Sequence, residues 1–217
     1  MNLETRHVQN FLTWNTWQFK YGSQAVFDGV RPDKAVVSVY EIVSTEFYTM
    51  SDNRTYTKTV INLPQYKRNA HQFTLSVYSA HLSLSSSERL TEASEILATV
   101  ANDASDFIVI CMDSNTFKSE MDEHGKLPTW EAFISGGFTP IHYGEYSTIT
   151  DMSDTSQSLD QIFMSNHITC IDYEIVNSND YPVTISGSDV PISDHCMVYA
   201  DLSFDFDAVL AELNSGN

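Results

Sequence analysis

Four short polar motifs stand in this chain at the ends of apolar runs, and their side chains could hold a metal ion and move a proton. In chain order they are residues 79–82 (SAHL), 112–115 (MDSN), 158–163 (SLDQIF) and 193–195 (SDH). Carboxylate and amide oxygens are ligands for hard cations such as Mg²⁺ or Mn²⁺, and imidazole exchanges a proton near neutral pH. Together the motifs predict a site for metal-assisted hydrolysis of phosphoesters.

Asp113 and Asn115 follow directly after a continuous apolar run, residues 108–112. Because side chains two residues apart point to the same side of an extended chain, a carboxylate and an amide would lie side by side there. Such a pair suits Mg²⁺ or Mn²⁺, and the amide could also donate to a phosphate. The alternative is a turn in which Asp113 accepts a hydrogen bond from the backbone, which aspartate and asparagine both favour.

The remaining site candidates each have a functional and a structural interpretation. Asp194 and His195 could be a metal ligand beside a proton-transfer group, or an exposed loop acid beside a packed histidine. Asp160 lies in an apolar run and needs a partner, because an unpaired buried charge is costly; a histidine ring or a basic side chain would serve. His81 ends an alternating run and is either a site residue or a hydrogen-bonded structural histidine.

Hydrophobic periodicity predicts more strands than helices. Strands are predicted at residues 35–43, 57–63, 72–81, 107–112, 159–164, 168–176 and 196–202. One clear helix begins after a possible Ser85–Glu88 capping box and runs to about Asn102. Its predicted apolar face is Leu90, Ala93, Leu97 and Val100. Residues 116–131 are interpreted as a loop and short helix and 180–193 as a turn-rich loop, so that a mixed α/β fold with a largely antiparallel sheet follows.

The net charge is the most informative feature of the composition, because 29 acidic and 11 basic residues among 217 give a formal charge of −18. Such a field repels polyanions and attracts cations. It argues against a high-affinity, salt-sensitive nucleic-acid binder, although a nuclease that binds weakly and turns over with metal remains compatible. The cations that could touch an anionic substrate are Arg54, Lys58, Lys67, Arg68 and Lys118.

Composition also predicts a location. No apolar run of about 18 residues exists, so no membrane span is expected. The first ten residues are polar and lack a signal-peptide core, which favours a cytoplasmic protein. Cys111, Cys170 and Cys196 lie in apolar contexts without metal-ligand spacing and are expected to be reduced core thiols.

In their order and setting the motifs resemble the endonuclease/exonuclease/phosphatase family, the deoxyribonuclease-I-like hydrolases. The similarity runs from about Ala35 to Phe206. Residues 35–42 (AVVSVYEI) are similar to the family's G-N-A-hydrophobic-hydrophobic-S-K-Y-P-I strand, 78–82 to its T-H-L strand end, 112–115 to G-D-x-N, 159–163 to I-D-x-I-hydrophobic and 193–195 to S-D-H, with Arg89 in the helix after the second motif.

The resemblance implies a four-layer α/β/β/α sandwich of two packed, mainly antiparallel sheets. The chain would be one domain, residues 1–217, with a divergent or shortened N-terminal segment (residues 1–34), a family-like core (residues 35–206) and an acidic tail (residues 207–217). By position, the metal (Mg²⁺ or Mn²⁺) and the scissile phosphate would be held by Asp113, Asn115 and Asp194. His195, oriented by Asp160, would be a general base or a charge-stabilising donor, and His81 would contact the phosphate.

The N-terminal segment departs from the family pattern. Family members usually begin with a strand that ends in asparagine and then present a glutamate that binds metal, whereas only 34 residues precede Ala35 here. Residues 13–17 (TWNTW) superficially resemble the first strand and Glu41 could be proposed as the glutamate, but both do not fit if residues 36–42 are the later strand. The opening strands would then be missing or replaced, and no glutamate ligand is identified.

The expected function is therefore a divalent-metal-dependent phosphodiester hydrolase, nuclease-like, that cleaves P–O bonds by in-line attack of water. The alternatives are a phosphatase or phospholipase-type hydrolase of the same family, or a shortened, inactive member that acts as a binding module. The substrate would be a phosphodiester or phosphomonoester, with nucleic acid possible. A partner chain could complete the N-terminal segment.

Overall fold

The computed structural model describes residues 21–22, 34–67, 70–143, 147–149, 157–180, 182–185, 187–191 and 193–216. The strands in these ranges are β1 (Tyr21–Gly22), β2 (Val37–Ser38), β3 (Ile42–Thr49), β4 (Thr55–Asn62), β5 (Thr74–His81), β6 (Phe107–Asp113), β7 (Thr139–Pro140), β8 (Asp160–Met164), β9 (Ile168–Val176), β10 (Pro182–Ile185), β11 (Ser188–Pro191) and β12 (Met197–Phe204). The helices are α1 (Ser86–Val100), α2 (Pro128–Ser135) and α3 (Phe206–Ser215), with 3₁₀ turns at Lys118–Glu120 and Ser178–Asp180.

Six strands form the central sheet, in the order β3-β4-β5-β6-β8-β7. All neighbours are antiparallel except β5 and β6. A parallel pair needs a crossover connection, which here is α1. The predicted mixed α/β fold with a largely antiparallel sheet is confirmed.

Helices α1 and α2 cover one face of this sheet, where Ile96, Trp130 and Phe163 are fully buried. The buried face of α1 differs from the predicted one, because Arg89 and Glu92 are buried while Leu90 is 41% exposed. Arg89 donates to loop carbonyls after β5 and pairs with Glu120 after β6, and Glu92 accepts from the Ser83 N–H at 2.8 Å, which offsets part of the cost of burying them.

The antiparallel pair β9–β12 and helix α3 cover the other face. Phe73, just before β5, and Phe107 and Val109 of β6 form a second core there with Ile168 and Val209. Helices α1 and α2, the central sheet and the β9–β12 pair therefore stack in layers around two apolar cores. This is the predicted α/β sandwich.

Four local predictions differ from the structure. The strand expected at 35–43 is interrupted, because β2 ends at Ser38 and β3 begins at Ile42. The turn-rich loop 180–193 contains the hairpin β10–β11, whose terminal pair is Pro182 and Pro191; proline is tolerated at strand ends but conceals a strand in the sequence.

The C-terminal stretch that was interpreted as an acidic tail is helix α3. Asp205 caps it by accepting a hydrogen bond from the Ala208 N–H at 2.9 Å, and Val209 is buried in the second core. At α1 the predicted capping box is wrong, since Ser85 is the N-cap without a side-chain bond and Glu88 accepts instead from the Ser83 hydroxyl.

The resemblance at 13–17 and the cation Arg68 lie outside the described residues. Among the described helices none is long and apolar enough to cross a membrane. The three cysteines are free thiols, with Cys196 buried and Cys111 and Cys170 partly buried.

Candidate functional site

Three strands deliver site residues to one edge of the central sheet. Because β5 and β6 are parallel, their carboxyl ends meet there, and His81 pairs in register with Asp113. Strand β8 runs antiparallel to β6 and begins at that same edge, where Asp160 pairs with Asp113. Strand register alone thus places His81, Asp113 and Asp160 side by side.

The side chains of these residues converge with that of His195. Asp113 Oδ2 lies 3.5 Å from His81 Nε2 and 3.9 Å from His195 Nε2. The other ring nitrogen of His195, Nδ1, is 2.8 Å from Asp160 Oδ2. One carboxylate oxygen therefore faces both imidazoles, and the second aspartate holds one of those rings from behind.

Asp113 uses its other oxygen in the local turn. Its Oδ1 accepts from the Asn115 N–H at 2.9 Å, which is the turn that the sequence left as an alternative. Asn115 has a φ of +46°, a left-handed conformation that asparagine tolerates, so it does not continue the strand. Its side-chain amide donates to the Leu82 carbonyl at 2.7 Å and joins the loops that follow β5 and β6.

Two serines hold the backbone at His195. The His195 N–H donates to Ser193 Oγ at 3.1 Å, and the Ser178 hydroxyl donates to the His195 carbonyl. Asp194 is exposed, and its negative charge acts on the neighbouring imidazole. It is not part of the closest group of potential metal ligands in the described residues.

Thr148 is a site-building residue that the sequence analysis missed. Its Oγ1 accepts from the Leu159 N–H at 2.8 Å and from the Asp160 N–H at 3.0 Å, while its carbonyl accepts from the Cys196 N–H at 2.8 Å. One fully buried residue thus ties the strand of Asp160 to the residue after His195. No sequence signal distinguishes it, because its contacts are formed only by the tertiary fold.

Arg89 is a second site-building residue, on the buried face of α1. The guanidinium is fully buried, and Nη1 donates to the carbonyls of Ser83 and Leu84 at 3.0 and 2.9 Å. Its Nη2 pairs with Glu120. The loop after His81 and the turn after Asn115 are therefore braced by one buried ion pair. The sequence pointed to this arginine only through the resemblance.

The carboxylates around His195 increase the affinity of its ring for a proton. The hydrogen bond to Asp160, together with the charges of Asp113 and Asp194, raises the pKa of His195 to about 9 despite partial burial. His195 is therefore an imidazolium at neutral pH. Burial, and then the nearby charge of Asp160, raises the pKa of Asp113.

A divalent cation fits this donor set. Asp113 and Asp160 offer carboxylate oxygens that lie within 4.8 Å of each other and of a ring nitrogen of His195. Carboxylate oxygens suit small divalent metals, and a cation would relieve the repulsion from Asp160 that contributes to the raised pKa of Asp113. Metal ligation by Asn115 and Asp194 stays a prediction.

Glu41 does not supply a glutamate ligand at this site. Its carboxylate accepts from the Asn62 side chain at 2.8 Å, and Asn62 pairs with Thr74 at the start of β5. His81 is at the other end of that strand, about 20 Å away at the usual rise per residue. Glu41 therefore lies at the opposite edge of the sheet.

Comparison with known proteins identifies the fold. No family model matches the sequence, and no curated protein matches it. Among solved structures, an endonuclease/exonuclease/phosphatase protein from Bacteroides vulgatus is similar, with a TM-score of 0.65 and 14% identity, over 94% of this chain and 83% of that chain. The chain has the endonuclease/exonuclease/phosphatase fold.

Two further structures with this fold differ in what their names record. TDP2 from D. rerio, complexed with a single-strand DNA product, has a TM-score of 0.56 and 15% identity over 93% of this chain and 83% of its own. A mannosyl-6-phosphatase from Bacteroides thetaiotaomicron has a TM-score of 0.56 and 15% identity over 80% and 73%. At these identities the likeness establishes the endonuclease/exonuclease/phosphatase fold, and activity has to be argued from the site.

Proposed function

We propose that this protein is a divalent-metal-dependent hydrolase of phosphoesters. The observation that carries the proposal is the placement of Asp113 Oδ2 against both His81 and His195, with His195 bound to Asp160. A carboxylate between two imidazoles offers a cation ligand and two proton donors to one phosphate. The endonuclease/exonuclease/phosphatase fold supports the same conclusion, because solved structures with this fold include a phosphatase and a DNA-product complex.

The acidic residues would bind the metal, and the histidines would contact the phosphate. Asp113, with Asn115 and Asp194 beside it, would hold Mg²⁺ or Mn²⁺. Bound there, the cation supplies charge neutralisation at a phosphoryl oxygen and a lower pKa for bound water. His81, whose side chain is 45% exposed, would donate a hydrogen bond to a non-bridging oxygen of the phosphate.

His195 would act as the proton donor. Its imidazolium is stabilised by Asp160, and a proton donor with a pKa of about 9 is charged at the pH of the reaction. The water oxygen forms its bond to phosphorus as the bond to the leaving oxygen breaks. The leaving oxygen takes the proton of His195, the attacking water loses a proton to solvent, and solvent then reprotonates the imidazole.

A non-catalytic binding module is the second candidate. It is favoured by one observation: among the residues that the structure describes, no glutamate joins Asp113 in the closest group of potential metal ligands. On this hypothesis the side chains at the site would form a structural polar cluster that does not catalyse hydrolysis; they are those of His81, Asp113, Asp160 and His195.

Hydrolysis of bis-p-nitrophenyl phosphate with Mg²⁺ or Mn²⁺ separates the two candidates. We expect metal-dependent release of p-nitrophenol that is lost in Asp113→Ala and His195→Ala. The matched controls are Asp207→Ala and His167→Ala, which remove the same residue types where they contact Lys67 and Glu212 beyond the site. No turnover with any divalent metal, together with no metal binding by calorimetry, would favour the binding module.

A further inference from the structure

One wall of the site is acidic and lacks cations. Ser178 and Ser193, which hold His195, bracket the hairpin β10–β11. Within this segment Asp180 and Asp189 are exposed, and Asp194 directly after it is exposed as well. No lysine or arginine follows Lys126 in the chain. The hairpin segment itself therefore offers a substrate carboxylates and no lysine or arginine.

The opposite side of the site, beside His81, is also acidic. A cavity of about 220 Å³ is lined there by Ser51, Asp52, Ser87, Glu88, Thr91 and Glu92. Arg54 donates to the His81 carbonyl at 3.3 Å, yet its guanidinium lies 3.3 Å from Asp52 and 3.9 Å from Glu92. Arg54, the described cation that contacts His81, is thus already paired with Asp52, and it also lies near Glu92, whose pKa is raised to about 7 mainly by burial.

Few of the remaining lysine and arginine side chains in the described ranges are available to contact the phosphates of an anionic polymer. Lys34 is buried. Lys118, in the 3₁₀ turn after Asn115, is the exposed cation without an ion pair in these ranges. The others are paired: Lys58 with Asp103, Lys67 with Asp207, Arg89 with Glu120 and Lys126 with Glu131.

A nucleic-acid strand needs a row of cations along its phosphates, because phosphate contacts supply most of its binding. A single phosphate needs only the metal, the two histidines and one nearby cation. We propose that the natural substrate is a compact phosphoester with one phosphate, whose remaining portion is neutral or positively charged, and not a nucleic-acid strand. This inference rests on the proposed function.

A pair of substrates that differ by one phosphate tests the inference on the wild-type protein. Thymidine 5′-(p-nitrophenyl phosphate) is compared with the same compound carrying a 3′-phosphate, both with Mn²⁺. We expect the extra phosphate to lower kcat/KM about threefold to tenfold at low salt, since several carboxylates repel it. At about 0.5 M salt, where screening is strong, the difference should shrink. p-Nitrophenyl phosphocholine, with a cationic group, should show the opposite salt dependence.

A charge-reversal variant localises the effect. Asp189→Lys changes an exposed hairpin residue whose side chain accepts from the Thr184 hydroxyl, and it should at least halve the penalty of the 3′-phosphate. The matched control is Glu212→Lys, which makes the same charge change on α3, where Glu212 contacts His167. The control should keep the penalty.

Binding is measured independently of turnover. The fluorescence anisotropy of a labelled single-stranded oligonucleotide, without metal, should show no saturation below about 100 μM, the weak end of non-specific binding. A higher kcat/KM for the 3′-phosphorylated substrate, equal behaviour of the two lysine variants, or micromolar oligonucleotide binding would overturn the inference and leave hydrolase activity standing. Failure to hydrolyse any of the three substrates would instead overturn the proposed function, and the inference with it.

Discussion

Asp113 and Asp160 lie directly opposite each other across the antiparallel pair β6–β8, and each faces a different nitrogen of the same imidazole. Asp160 Oδ2 is 2.8 Å from His195 Nδ1, and Asp113 Oδ2 is 3.9 Å from His195 Nε2. Like charges directly opposite in a sheet are destabilising. The imidazolium between them offsets that repulsion, so the pair and the ring form one electrostatic unit.

Replacing Asp160 should damage catalysis by changing the proton affinity of His195. Asp160→Asn keeps the size of the side chain but removes the carboxylate whose hydrogen bond, followed by its charge, raises the pKa of His195. We expect kcat to fall about 10²- to 10⁴-fold, the usual range for loss of an oriented acid–base group. The limb of the pH–rate profile that belongs to His195 should move to lower pH.

A second histidine–aspartate pair provides the control for this change. His71 Nε2 lies 2.7 Å from Asp106 Oδ1, just before β6 begins and so at the edge opposite the site. Asp106→Asn should leave the position of the pH limb unchanged even if it lowers stability. An Asp160→Asn enzyme with the wild-type pH profile would contradict the assigned role.

The His195 pair should make stability depend on pH in a defined direction. The folded pKa of His195, about 9, lies above the ordinary unfolded value of about 6.5, so folding favours the protonated ring. Its contribution is complete below the unfolded value and is lost as the pH rises through about 9.

Urea denaturation of wild type and His195→Gln measures this contribution. The difference in the free energy of unfolding between the two proteins should shrink by about 1–3 kcal/mol between pH 6 and pH 9.5, an amount reduced from the full linkage value because the ring is partly exposed. A difference that stays constant over that range would show that Asp160 and Asp113 do not stabilise the imidazolium.

Metal should stabilise the folded protein through Asp113. A ligand that binds only the native state at about one hundred times its Kd adds about 2.7 kcal/mol to the free energy of unfolding. We expect Mg²⁺ or Mn²⁺ to raise the Tm of the wild type, EDTA to reverse the rise, and Asp113→Ala to abolish it.

The same thermal measurement tests whether Asp194 is a ligand. If Asp194 binds the cation, Asp194→Ala should reduce the metal-induced rise in Tm, whereas Asp207→Ala, on α3, should not. A full rise in Asp194→Ala would show that the cation binds without Asp194.

Thr148 should matter for both stability and turnover. Thr148→Val keeps the shape but removes the oxygen that accepts from the Leu159 and Asp160 N–H groups. Leaving buried donors unsatisfied costs about 1–3 kcal/mol each. We expect a lower free energy of unfolding in urea and a lower kcat, because Asp160 loses its backbone anchor. Thr148→Ser retains the hydroxyl and should restore both; a Val variant with wild-type kcat would contradict the positioning role.

Much of the fold could be predicted from residue patterns. Strands β5, β6 and β9 have the periodicity or apolar continuity that strands require, and α1 has helical spacing between two of them. The face of α1 was not predictable, because Arg89 and Glu92 are buried only where the neighbouring loops supply their partners. Hairpin β10–β11 escaped prediction because prolines bound it, although Val183 and Ile185 alternate with Thr184.

The sequence by itself determined the side chains available for chemistry and their places at the ends of strands. Residue type sets donor capacity and charge, strand periodicity sets the face to which a side chain points, and the position of a residue in its apolar run sets the end of the strand at which it lies. Only the tertiary structure decided which of those ends meet. The parallel pairing of β5 with β6 and the antiparallel pairing of β6 with β8 join residues far apart in the chain, so the contacts of Asp113 with both histidines, and the backbone anchor at Thr148, follow from the register between strands.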